Sequence, residues 1–266
     1  MQRRTLLAAA ALALLGPPAR AQNAPVPRTL KVLFIGNSYT YFNDLPQTLA
    51  KLAASATPPL TIETGRFLIG GATLQRHWRE GKALELVRQG EWDYVVLQDQ
   101  SMLGGVDNEE PHVASPAALL EFARLFNAEI RKSRARTVFY LTWAREGHPE
   151  LQARLTDAYR TAAREMSALL APVGLAVMSA RILNPAMPFY RADHSHPSPA
   201  GTYLAACVFY AVLTGRNPVG LPSAEVGDGI RNETPLPSVL LSAEDAAFLQ
   251  KVAWRTVQEE PATPSN

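Results

Sequence analysis

The chain has 266 residues, 47% hydrophobic and 19% charged, with 26 Lys and Arg against 24 Asp and Glu and a single cysteine. Apolar content near half excludes a disordered chain, and a formal charge of +2 lacks the basic surplus that phosphate-backbone binding needs, so nucleic acid is not an expected partner. The lone Cys207 excludes an internal disulfide framework and a multi-thiolate metal cage.

Residues 1–21 read as an export signal. Arg3 and Arg4 precede an apolar run from Leu6 to Leu15, Gly16-Pro17-Pro18 breaks it, and Ala19-Arg20-Ala21 supplies a small-residue cleavage site. The run is too short to span about 30 Å of hydrocarbon, and nothing after residue 21 is apolar for long enough to do so, so no stable membrane insertion is expected once the signal is cleaved. Arg3-Arg4-Thr5-Leu6-Leu7 also resembles a twin-arginine signal, and both export routes, to the periplasm or beyond, stay open. Losing Arg3, Arg4 and Arg20 takes the formal charge from +2 to −1 for a mature chain of residues 22–266. That chain is expected to be one domain with a C-terminal helical extension from about residue 215.

The mature chain alternates strands and helices. Residues 30–35 form an apolar run that stops at Gly36, the pattern of a strand buried on both faces of a parallel sheet. Asn43-Asp44 then cap a helix with Leu45, Leu49 and Leu52 at helical spacing. Next come a strand over 60–64, a helix over 83–89, a strand over 94–97, a long helix over 117–132 and a strand over 137–141. A helix over about 150–170 precedes a strand expected at 175–178, and residues 200–213 read as the last core helix. Residues 215–240, with four prolines, read as a surface excursion. A final amphipathic helix opens at Ser242, with Asp245 three residues on, and runs to about Val257. This alternation predicts an α/β fold whose central parallel sheet carries helices on both faces.

Chemistry in such sheets sits where strands end. Four stretches qualify: Gly36-Asn37-Ser38, Gly70-Gly71-Ala72, Gln98-Asp99-Gln100-Ser101 and Asp193-His194-Ser195-His196. Taken singly, Ser38 reads equally as a helix cap, Gly70-Gly71 as a turn, Gln98 as a polar strand stop and Asp193/His196 as a surface pair. Together they meet one chemical requirement. A serine hydroxyl needs an imidazole within about 2.6–3.2 Å, and the imidazole needs a carboxylate to fix its tautomer. Ser38, His196 and Asp193 offer those groups. Acyl transfer also needs donors aimed at an oxyanion, which the N–H groups of Ser38 and Gly71 and the amide of Gln98, or alternatively Gln100, could supply. His194, His196 and Asp193 have metal-binding chemistry too, but no distant third ligand is evident, so no metal or cofactor is expected. Trp143, at another strand end, reads equally as a pocket wall and as a core aromatic, and Asn37 is a further candidate for the substrate pocket.

On Phe34-Ile35-Gly36-Asn37-Ser38-Tyr39-Thr40, Gly70-Gly71-Ala72-Thr73 and Asp193-His194-Ser195-His196-Pro197, the chain resembles the SGNH (GDSL-type) hydrolase superfamily over most of residues 30–215. The resemblance implies a three-layer α/β/α, flavodoxin-like sandwich. It also implies an esterase with nucleophile Ser38, triad partners Asp193 and His196, and an oxyanion hole that includes the Ser38 and Gly71 N–H groups. Many members have Gly-Asp-Ser in the first block, and most have a Gly-x-Asn-Asp stretch in the third. This chain has Gly36-Asn37-Ser38 and, in the third block, Gln98-Asp99-Gln100-Ser101 without an Asn. Some carbohydrate-esterase branches have a Gln in that neighbourhood, which with the export signal leans towards an O-acetylated carbohydrate as substrate. The competing expectation is a glycan-binding protein on the same scaffold, weakly active or inactive.

Overall fold

A computed structural model of the chain describes residues 29–102, 114–227, 230–231, 234–235 and 238–260; the export signal expected at 1–21 lies outside them. β1 (Leu30–Gly36) is buried from Val32 onward. It leads into α1 (Ser38–Tyr41), a 3-10 turn over Phe42–Asp44 and α2 (Leu45–Ala54). β2 (Ile62–Leu68) is followed by α3 (Leu74–Glu80) and α4 (Lys82–Gln89). Then come β3 (Tyr94–Leu97), α5 (Pro116–Lys132), β4 (Arg136–Tyr140) and α6 (Leu151–Met166). β5 (Leu169–Ala171), α7 (Val173–Leu183) and α8 (Pro199–Thr214) complete the layers.

The five strands pair in parallel in the order β2-β1-β3-β4-β5, the flavodoxin-like order. Alternate strand residues feed two cores. Val32, Phe34, Val96, Val138 and Tyr140 pack under α2, α7 and α8, whereas Leu33, Ile35, Val95, Leu97 and Phe139 pack under α3, α4, α5 and α6. The three-layer α/β/α sandwich is therefore as the motifs implied. Strand order reverses between β1 and β3, with β2 added on one side and β3 to β5 on the other, which places a crevice at their carboxyl ends.

Two elements differ from the sequence reading. The fifth strand is Leu169–Ala171, and residues 175–178 lie inside α7 rather than forming a strand. α6 stops at Met166 because Ser167 turns left-handed (φ 49°), a helix end that no glycine announces. Pro172 then ends β5 after three residues and opens α7, where Gly174 lies so close to the Thr142 carbonyl that an added Cβ would meet its oxygen at 2.0 Å. The second difference is α3, an unexpected helix capped by Thr73, whose hydroxyl accepts from Arg76 N–H.

Beyond α8, β6 (Glu225–Val226) pairs with β9 (Val239–Leu240), and β7 (Ile230–Arg231) with β8 (Thr234–Pro235). Val226 is fully buried, so this stretch is in part packed rather than wholly a surface excursion. α9 (Ala243–Glu259) opens where the sequence places it, with the Ser242 hydroxyl accepting from Asp245 N–H. Leu249, Val252 and Ala253 bury its inner face against the core beside α8. Among the described residues no helix is long and apolar enough to cross a membrane.

Candidate active site

β1 ends at Gly36, and Asn37 caps the single turn α1 by accepting from Tyr39 N–H at 3.1 Å. The turn is tight: a Cβ on Gly36 would meet Gln98 Oε1 at 2.4 Å, so only glycine fits beside that side chain. Gln98 Oε1 accepts from Asn37 N–H (2.7 Å) and Thr40 Oγ1 (2.9 Å), while its Nε2 donates to the Asp99 carbonyl (2.6 Å). Gln98 is fully buried, its Oε1 committed to holding the Ser38 turn, and one of the two Nε2 hydrogens expected at an oxyanion hole goes to Asp99 O instead. Asn37 is likewise committed, its Nδ2 donating to Ala72 O at 3.0 Å and so tying the glycine turn to Ser38. Gly71 takes φ +66°, which its lack of a side chain permits. The N–H groups of Ser38 and Gly71 donate no hydrogen bond among the described residues. His77 Nε2 donates to Gly36 O at 2.8 Å; burial lowers this imidazole's pKa, against the pull of that bond, and favours its neutral form.

Residues 190–197 form a tight hairpin in front of α8. A Tyr190–Pro197 bridge closes it, Arg191 N–H donates to His196 O at 2.9 Å, and Ser198 caps α8. Within it Asp193 Oδ1 accepts from the N–H groups of Ser195 (3.0 Å) and His196 (2.9 Å), while Oδ2 lies 2.8 Å from His196 Nδ1. Partial burial pushes the Asp193 carboxyl up, but the hydrogen bonds from His196 and Ser195 outweigh it and hold the group below the usual carboxylate range. His196 Nε2 stands 2.8 Å from Ser38 Oγ, across 158 positions of chain. The structure thus brings Ser38, His196 and Asp193 into one hydrogen-bonded line, the geometry in which an imidazole takes a hydroxyl proton.

The segment just after Ser38 supports this line, and the sequence reading did not single it out. Phe42 stacks on the His196 ring at 4.1 Å between centroids and Tyr39 meets it edge-on at 5.7 Å. Tyr39 Oη bonds both Ser195 Oγ (2.7 Å) and Ser101 Oγ (3.1 Å), joining the β1, β3 and hairpin segments. Asn43 Nδ2 donates to Pro197 O and its Oδ1 accepts from Arg191. The available signal was Tyr39-Thr40-Tyr41-Phe42, three aromatics in the first four positions after the serine. Trp143 is core rather than pocket wall: it is 2% exposed, stacks on Tyr39 at 4.7 Å and donates from Nε1 to Ser195 O. Gln100 Oε1 accepts from Met102 N–H, and its Nε2 donates to no partner among the described residues.

Asp99 sits at the base of the same crevice, 2% exposed, with its Oδ1 accepting from Gln100 N–H. Burial pushes its carboxyl up to about 6, against the opposing N–H groups of Gln100 and Leu74. The folded chain then binds this proton more tightly than the unfolded one. The group's stabilising effect is complete below about pH 4 and is lost as pH rises through 6, a span of about 2–3 kcal/mol. Thermal melts of Asp99→Asn should therefore gain on wild type by roughly 5–10 °C between pH 4 and pH 7. A constant difference across that range refutes the buried charge.

A cavity of about 620 Å³ lies on another flank of the hairpin, lined by Tyr190 and His194 from the hairpin, Glu146 from the segment after β4, and Met178 and Arg181 from α7; Ser38, Asp193 and His196 do not line it. Among the described residues no group of three His, Cys, Asp or Glu could hold a metal ion.

No family model and no curated protein matches the chain. Solved structures do. A DUF4886 family protein from Bacteroides uniformis ATCC 8492 superposes with a TM-score of 0.64 at 21% identity, over 90% of this chain and 98% of that one. Axe2, an acetylxylan esterase from Geobacillus stearothermophilus, gives 0.58 at 17% identity over 70% of this chain and 94% of its own. LAE5, an alpha/beta hydrolase enzyme from the metagenome of Lake Arreo, gives 0.57 at 18% over 69% and 94%. Axe2 and LAE5 are SGNH-type hydrolases, and this chain has their fold.

Proposed function

From a fold shared with SGNH-type hydrolases, we propose that the chain is an exported serine esterase that removes O-acetyl groups from carbohydrate. The observation that carries this reading is the pair of 2.8 Å contacts from Ser38 Oγ through His196 to Asp193. Ser38 Oγ attacks the ester carbonyl and its proton passes to His196 Nε2, with Asp193 stabilising the imidazolium. The carbonyl oxygen becomes an anion facing the N–H groups of Ser38 and Gly71, each donor contributing roughly 10²–10³ in rate. With Gln98 engaged, the side-chain donor in this scheme is Gln100, beside Ser101 and through it next to Tyr39. His196 returns the proton to the leaving sugar hydroxyl, and water, activated by the same imidazole, releases acetate from Ser38. Carbohydrate as the alcohol draws on the acetylxylan esterase among the structural neighbours.

The test uses the mature chain with a fluorophosphonate probe and acetylated xylo-oligosaccharides. Labelling confined to the Ser38 peptide, with acetate released, is the expected result. The competing glycan-binding reading draws on the engaged Gln98 amide. Sugar binding with neither label nor acetate would establish it in place of the esterase.

A further inference from the structure

His194, between the Asp and the His of the hairpin, adopts φ +55°, a left-handed bend that a side chain disfavours. That bend presents the Ser195 and His196 N–H groups to Asp193 Oδ1 and leaves Oδ2 on His196 Nδ1. Glu146, 48 positions upstream, grips this residue twice. Its N–H donates to His194 O at 2.9 Å, and its Oε2 accepts from His194 Nδ1 at 2.6 Å. Arg181 on α7 holds the other oxygen, Nη2 to Oε1 at 3.0 Å, and lies over the Tyr190 ring at 4.9 Å.

We propose that Glu146 is a positioning residue that fixes the His194 bend and thereby the contact between Asp193 and His196. The proposal rests on the esterase reading for its effect on turnover. It does not rest on it for the geometry. Glu146 makes no bond to Ser38 or His196, so it acts only through His194. An isolated surface ion pair contributes little, but here two bonds from Glu146 converge on one bent residue while Arg181 holds the carboxylate that makes one of them. Glu146, Arg181 and His194 all line the 620 Å³ cavity, so truncating Glu146 widens an existing space rather than opening a hole in the core. The groups facing His196 are Asp193 on its own hairpin, Ser38 and Tyr39 on α1, Arg145 beside Tyr39, and Arg191 on the far face of Phe42. Of these, Asp193 is the one that Glu146 governs through the bend.

The experiment measures p-nitrophenyl acetate kinetics and the downfield NMR resonance of the proton that His196 Nδ1 shares with Asp193, in the mature chain. The variants are Glu146→Ala, Glu146→Gln, His194→Gly and the double Glu146→Ala/His194→Gly. Glu146→Ala should lower kcat about tenfold, which is about 1.4 kcal/mol, with KM within about twofold. The proton that His196 Nδ1 shares with Asp193 should resonate further upfield in that variant, because a loosened Asp193 makes a weaker hydrogen bond to it. Glu146→Gln keeps an oxygen that accepts from His194 Nδ1 and should restore most of both. Glycine adopts the bend without strain, so Glu146→Ala should change kcat less than about twofold in the His194→Gly background. An unmoved His196 Nδ1 proton resonance in Glu146→Ala, or the full loss in the His194→Gly background, overturns the proposal. A shifted Nδ1 proton resonance in a chain that hydrolyses no ester would sink the esterase reading and leave this inference standing.

Discussion

Ser38→Ala is expected to retain at most about a thousandth of the wild-type turnover of p-nitrophenyl acetate, because the substitution removes the one hydroxyl that His196 Nε2 faces at 2.8 Å. The loss should not come from unfolding. The turn is held by Asn37 N–H, Thr40 Oγ1 and Gln98, none of which bonds Ser38 Oγ. The residue is 8% exposed, so one buried oxygen is exchanged for a hydrogen with little change in packing. The residual rate reports the N–H groups around the carbonyl acting on water alone. Thermal melting should be near that of wild type while activity is lost. Hydrolysis above about a tenth of wild type would mean that the ester is cleaved elsewhere.

Asp193→Asn should be nearly as damaging, for a different reason. The asparagine oxygen can replace Oδ1 in accepting from Ser195 and His196 N–H, so the hairpin keeps its shape. Its NH₂ then faces His196 Nδ1, which must become an acceptor. The ring proton moves to Nε2 and points at Ser38 Oγ, and an imidazole in that tautomer cannot remove the serine proton. Turnover should fall by about 10³-fold or more at neutral pH with KM little changed. In the wild type the hydrogen-bonded carboxyl titrates below the usual range, so Asp193 stays ionised throughout neutral pH. Activity within tenfold of wild type would remove the carboxylate from the mechanism.

The sheet was legible from short-range patterns, whereas the line from Ser38 to Asp193, which spans 158 positions to His196, was legible from the motif blocks that carry the resemblance. An apolar run that stops at Gly36 marks a strand end, and Asp193 and His196, three positions apart, are near enough for one hairpin to join them. The fifth strand was misplaced because its left-handed helix end carries Ser167 instead of glycine, and because Leu175–Met178 is as apolar as a buried strand. Read as a continuation of β3, Gln98 and Gln100 would share a face, so the sequence could not tell which amide the Ser38 turn would use; both in fact lie past the strand end at Leu97. The three-dimensional answer lies in the 2.4 Å approach at Gly36, which sequence spacing does not encode. Glu146 carried no signal, since its partner His194 is 48 positions away and nothing local marks either as bonded.

Asn43 joins the two halves of the proposed site directly, reaching Pro197 O, Thr202 and Arg191 from the segment that carries Ser38. Ser38 and His196, the nucleophile and base of the proposed mechanism, therefore ride on a common mount instead of being fastened separately to the strands. When the sheet twists or breathes, both travel together, and the sub-ångström tolerance of proton transfer is insulated from motions that would separate two independently anchored loops.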